Sequence, residues 1–163
     1  MESAGEGKAM RTKRWAVLAV GAAVAVVFGA IAASAGSGIA GPRTIHLIEH
    51  GTSDRIIDTG APGDTSGDLL TFHNAVFDAT DHHAVGHDQG QCTRIAPKHG
   101  TWECMWTTFL AGGQITVEGP FNDTKDTVLA VTGGTGNFAN VRGEMNLKYL
   151  GDTNYDFIFH LTN

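Results

Sequence analysis

Along the chain, apolar and polar residues alternate in short runs, and clusters of glycine, asparagine and aspartate separate them. Gln114–Gly119 alternates strictly, Thr127–Val131 is rich in β-formers, and Gly133-Gly134-Thr135-Gly136 between it and the next run reads as a tight turn. Alternation bounded by such clusters predicts antiparallel strands. The same pattern places strands at Thr44–Glu49, Asp68–Phe77, Ala84–Ile95, Thr101–Leu110, Val141–Leu150 and Asn154–Thr162, and no window carries an apolar stripe of helical period. The connections, such as Asp-Ala-Thr-Asp and Pro-Lys-His-Gly, hold turn-forming residues. Eight strands joined by short hairpins predict an all-β fold, an eight-stranded antiparallel up-and-down β-barrel that leaves no open edge. The long segment His50–Gly67 is the exception to the short connections, and long loops in compact domains often act as lids.

Strand parity indicates which side chains face the interior. Leu70, Phe72, Asn74 and Val76 share one face of their strand and Leu69, Thr71, His73 and Phe77 the other, and composition alone does not choose between them; Trp102, Cys104, Trp106 and Thr108 share one face of theirs, the better candidate for the interior. Ile115, Val117 and Phe121 form the apolar set of a third strand. An interior lined by Leu70, Phe72, Asn74, Trp102, Trp106, Val117 and Phe121 fits a small hydrophobic ligand, since binding cavities are largely apolar with a few polar groups. The alternative is that these residues fill a dry core, because eight strands is the size at which both outcomes occur. Asn74 is an amide on an otherwise apolar face, so it needs a partner such as a water or a ligand oxygen.

The N-terminal region changes the picture of where the protein works. Lys8, Arg11, Lys13 and Arg14 precede the uncharged stretch Ala16–Ala33, and Ala33-Ser34-Ala35 supplies small residues at a cleavage site. This reads as a secretory signal peptide over 1–35, cut before Gly36, with a barrel domain over 36–163. The alternative is an uncleaved anchor, the stretch being just long enough to cross a bilayer; only then is a membrane a partner. In either case the domain lies outside the cytoplasm, and with cleavage it is secreted. Residues from Gly36 onward hold 15 Asp and Glu against 7 Lys and Arg. That acidic balance argues against nucleic acid as a partner.

Cys92 and Cys104 flank a turn-like segment, Ile95–Thr101. If the turn centres on Lys98, residues whose numbers sum to 196 face each other, which opposes the two cysteines at a separation a disulfide tolerates. An oxidising compartment then favours the bridge over two buried thiols. Asp78, Asp81, His82, His83, His87 and Asp88 gather around one hairpin, but without the spacing of a metal site they read as a solvated polar turn. No metal and no cofactor is expected. Gly133–Gly136 lacks the Lys-Ser/Thr ending and the following helix of a phosphate loop.

GQITVEGPF followed by LAVTGGTGNF, together with GDLLTFHNAVFDATDHHAVGHDQGQC (Gly67–Cys92), resembles the allene oxide cyclase family, with plant dirigent proteins as fold relatives. The resemblance spans about Gly67 to Leu161 and implies an eight-stranded barrel, usually a homotrimer, around an elongated hydrophobic cavity. It also implies steering of a reactive apolar molecule through cyclisation or a related rearrangement. The family's cavity asparagine matches Asn74 and its cavity cysteine matches Cys92. Its Gly-Pro-Tyr reads Gly119-Pro120-Phe121 here, without the hydroxyl. The first-strand carboxylate falls at Glu49, or at His46 in its place. Two functions follow: a cyclase or isomerase using Asn74 with Glu49 or His46, or a non-catalytic exported protein that binds an apolar metabolite.

Overall fold

The computed structural model describes residues 41–162; the proposed leader and its cleavage site lie outside them. The strands are β1 (Arg43–His50), β2 (Arg55–Ile57), β3 (Leu69–Asp78), β4 (Ala84–Ala96), β5 (Thr101–Leu110), β6 (Gly113–Asn122), β7 (Thr127–Gly136), β8 (Arg142–Gly151) and β9 (Asn154–Thr162). Each of β3 to β9 pairs antiparallel with its sequence neighbour, and β1 closes the barrel by pairing with both β9 and β3. The predicted eight-stranded barrel is therefore present, with β2 as a ninth, short strand outside the expectation. Among the described residues the only helical turn is Pro97–His99, which caps the β4–β5 hairpin with Gly100 in the left-handed conformation.

β1 and β2 share one edge of β3. β1 pairs with Ala75–Asp78 and β2 with Leu69–Thr71. Between them the chain leaves the barrel wall. There Ser53 stands in for a strand neighbour: its hydroxyl donates to the His73 carbonyl and accepts from the His73 amide. This satisfies backbone groups that a broken ladder would otherwise leave unpaired. The detour is the structural origin of the opening described below.

The expected turn at Gly133–Gly136 is instead the second half of β7, paired with Gly113–Thr116 of β6. Glycine has no side chain, and that is what the position requires. A Cβ on Gly134 would come within 2.5 Å of the Gln114 and Phe138 carbonyl oxygens. β6 also continues beyond the expected Gly119 through Pro120. Its pairing with β7 ends at Glu118, so the proline occupies the part of the strand no longer laddered to β7.

The inward parity holds across the sheet. Leu129, Val131, Met145, Leu147, Phe157, Phe159, Leu161, Ile115 and Val117 are buried and fill one side of the barrel. The β4–β5 register keeps the sum of 196 from Gly86–Leu110 to Arg94–Trp102. Cys92 and Cys104 are opposed in it and joined as a disulfide. The sequence separation of 12 corresponds to a stabilisation of about 3 kcal/mol from the constrained unfolded chain. Replacing both cysteines by serine is expected to lower the unfolding free energy by about that amount. Urea titration of the variant against the oxidised protein measures it, and an unchanged midpoint would remove the bridge from the account of stability.

Candidate functional site

Even-numbered residues of β3 and β4 face inward, and one pair of them builds the polar end of the interior. Asn74 and Asp88 are register partners, and Asp88 is in turn opposite Thr108. All three are 0–1% exposed. Glu49, inward-facing at the end of β1, is also buried and accepts a hydrogen bond from Asn74 Nδ2 at 2.8 Å. The detour after β1 brings Asp54 to the same amide, again at 2.8 Å. Asn74 Oδ1 accepts from the Thr52 and Ser53 amides at 3.1 and 3.0 Å. The amide is thus satisfied by protein groups rather than by the water or ligand oxygen expected of it. It fastens the loop to the barrel.

Glu49 and Asp88 share a dry environment and titrate as a pair. Burial pushes the Glu49 carboxyl well above the usual range, and the charge of Asp88 pushes it further; the Asn74 hydrogen bond opposes both. Burial likewise pushes Asp88 up to about 7, against the pull of the Asn74 backbone amide and the Glu49 carboxyl. Those two groups are near enough to interact, yet among the described residues neither Asp88 oxygen meets a donor in good hydrogen-bond geometry, and Thr108 Oγ1 is also unpartnered. At neutral pH the pair therefore retains a proton that ordinary carboxylates would have lost.

Below this polar end lies a cavity of about 70 Å³, bordered by Glu49, Asp54, Leu70, Phe72, Cys92, Cys104, Trp106, Phe121, Leu147, Tyr155 and Phe157. Its mouth opens to solvent. Five of the expected lining residues, Leu70, Phe72, Cys92, Trp106 and Phe121, border it. Asn74 stands behind Glu49 and Asp54. Val117 is fully buried in the packed part of the interior. Trp102 is engaged elsewhere: its Nε1 donates to Asp123 at 2.8 Å, and Arg94 stacks on its ring at 4.4 Å. The interior is thus both readings at once, packed around Ile115, Val117, Leu129, Val131, Met145 and Phe159 and hollow where β3–β5 face Phe121, Leu147, Tyr155 and Phe157.

Of the two alternatives for the β1 acid or base, Glu49 is the one the structure brings to Asn74. His46 has the opposite parity, lies on the outer face and pairs with Asp156. Cys92 contributes a disulfide sulfur, so no thiol faces the cavity. The hydroxyl missing at Phe121 has a counterpart in Tyr155 from β9, whose ring meets the Phe121 ring at 5.7 Å. Burial, then the charge of Asp54, pushes the Tyr155 phenol up to about 12, which keeps it a donor.

Asp54, Asp88 and Tyr155 were not among the candidates read from the sequence. Asp88 was readable: it shares parity with Cys92, four residues on. Its neighbours in the hairpin do form the solvated turn, with Asp78 bonded to Thr80 and His83, Asp81 to His50, and His87 stacked on Phe109. Nothing in the sequence signals Asp54, because its position depends on the detour.

The family model for allene oxide cyclase matches residues 50–161. Among solved structures, a pyocyanin demethylase is similar at 27% identity and a TM-score of 0.65, over 74% of this chain and 100% of that one. The pterocarpan synthase dirigent protein PsPTS1 shares 17% identity with a TM-score of 0.59, over 75% of this chain and 96% of its own. The Diels Alderase AbmU from Streptomyces koyangensis shares 14% identity with a TM-score of 0.57, over 77% and 69%. The latter two carry the likeness of fold alone. With the family pattern running from the end of β1 to the end of β9, the chain belongs to the allene oxide cyclase family.

Proposed function

We propose that the protein is an exported barrel enzyme that confines a small, largely apolar unsaturated molecule and steers its cyclisation or isomerisation. The observation that carries this reading is the buried Glu49–Asp88 pair at the head of an aromatic-walled cavity. Such rearrangements change no overall composition. They need the substrate folded in one conformation, a donor where negative charge develops and an acceptor where a proton leaves. Confinement and orientation supply much of the rate. A carboxyl and a carboxylate held in a dry site supply the other two, as general acid and general base or as electrostatic stabilisers. Tyr155 adds a neutral hydroxyl donor at the cavity wall. Export is supported by the disulfide, which suits an oxidising compartment.

Neutral probes test the chemistry. The methyl ester of a fatty-acid allene oxide, generated in situ, and a cyclic β,γ-unsaturated ketone represent cyclisation and isomerisation respectively. The expected result is an excess of one enantiomer in the first, or acceleration to the conjugated isomer in the second. Glu49→Gln is expected to reduce either effect by about 100-fold, within the range of a general acid–base contribution. Saturable quenching of Trp106 fluorescence with no conversion of either probe would replace catalysis by binding alone. No saturable response and no conversion would overturn the reading.

A further inference from the structure

The cavity wall has a one-sided chemistry. Glu49 and Asp54 border it, and Asp88 stands behind them. Among the described residues no lysine, arginine or histidine borders it. Arg94, six residues along β4 from Asp88, is bound by Asp64 at 2.6 and 2.7 Å and by Asp123 at 2.7 Å, so it offers nothing to a ligand. The rest of the wall is dominated by rings. Phe72 meets Trp106 edge-on at 6.0 Å, Trp106 meets Phe157 at 5.6 Å, and Phe121 meets Tyr155 edge-on at 5.7 Å. Trp106, which borders the cavity, is 4% exposed, and among the described residues its indole N–H has no acceptor.

Resting on the cavity reading above, we infer that the molecule taken there is a compact, conjugated ring system that carries a positive charge, and that carboxylate-bearing chains of the fatty-acid kind are excluded. Aromatic faces attract cations through their quadrupole, more strongly where water is absent. Asp54, exposed at the mouth, is placed to draw such a cation inward. A fatty-acid carboxylate would meet acidic groups without a counter-ion, and like charges in a poorly hydrated site repel strongly. The small volume behind the open mouth also favours a compact molecule. A ring oxygen or nitrogen with a free lone pair would satisfy the Trp106 N–H.

Three probes of nearly the same shape separate charge from size: 1-methylquinolinium, 2-methylquinoline and 2-naphthoate, titrated calorimetrically at pH 8. The cation is expected to bind at least about tenfold more tightly than the anion, with the neutral ring between them. Asp54→Asn together with Glu49→Gln keeps an oxygen for the Asn74 amide at both positions and is expected to cut the cation-to-anion ratio at least about threefold. Equal or tighter binding of 2-naphthoate would overturn the inference and leave the cavity reading standing. A cation preference unchanged in the double variant would assign it to the acidic surface and also overturn the inference. Saturable binding of none of the three would remove the cavity reading and the inference together.

Discussion

Asp88→Asn is expected to make the protein more stable at pH 8 and less active. A carboxyl whose ordinary value is 3.8 and which burial has raised to about 7 keeps its proton in the folded state while the unfolded chain has released it. Folding stability from this group is therefore complete below about pH 4, falls as pH rises through the window from about 4 to 7, and stays low above it. Each tenfold difference in proton affinity between the folded and unfolded chain is worth about 1.36 kcal/mol, so the loss amounts to about 4 kcal/mol. An asparagine of the same shape does not ionise, so urea unfolding at pH 8 is expected to show a gain of about 2–4 kcal/mol, with the fall between pH 4 and 7 flattened. The acid limb lies lower. Asp68, held below its ordinary value by the Thr65 and Thr59 amides, contributes stability that is present above about pH 4 and lost as pH falls through its depressed value. The same variant removes the charge that helps raise Glu49, so Glu49 ionises at lower pH and the pair loses its retained proton. A stabilised protein with diminished conversion is the signature of strain kept for function. An unaltered pH profile of stability would show that Asp88 does not titrate in the buried pair.

Much of this fold was legible because its signals are local. The β4–β5 hairpin follows from one turn and a cysteine on either side of it, and its register extended correctly to Trp102 and Trp106. Parity grouped Leu70, Phe72 and Asn74 on one face, but neither face of that strand is cleanly polar, and the inward choice came from consistent parity along the neighbouring strands. What was not legible depends on contacts between distant segments. Gly133–Gly136 has the composition of a turn, but Phe138 closes over Gly134 and the close approach requires a strand without side chains. β2 has only three residues, and its pairing is set by where β1 leaves the edge of β3. The site divides in the same way. Asn74 and Glu49 were visible from alternation and resemblance. Asp88 was obscured by the polar turn beside it, and Asp54 reaches the site through a loop whose path only the folded barrel determines.

Asn74 makes four of the bonds that hold this path, and Asn74→Leu is expected to loosen it. Leucine matches the apolar neighbours Phe72 and Val76, so sequence alone suggests a tolerated change that affects only chemistry. The structure predicts otherwise. The Thr52 and Ser53 amides lose their acceptor, while Glu49 and Asp54 lose the donor they share. Each buried group left without a partner costs about 1–3 kcal/mol, and water can reach the exposed ones once the loop lifts, so the net loss is on the order of 3–5 kcal/mol. Hydrogen exchange at Thr52 and Ser53 is expected to accelerate at every pH at which the variant is folded. Asn74→Asp distinguishes the two halves of the tether. Its oxygens still accept the loop amides, but in place of the amide donor it sets a third carboxyl against Glu49 and Asp54. Protection of Thr52 and Ser53 is then expected to survive at pH 5 and to weaken at pH 8, as the new carboxyl and Glu49, both buried beside Asp88, ionise against one another. Protection unchanged in the leucine variant would show that the loop is held by Ser53 and β2 alone. Protection lost equally at both pH values in the aspartate variant would show that the donor, and not charge, is what the mouth of the cavity requires.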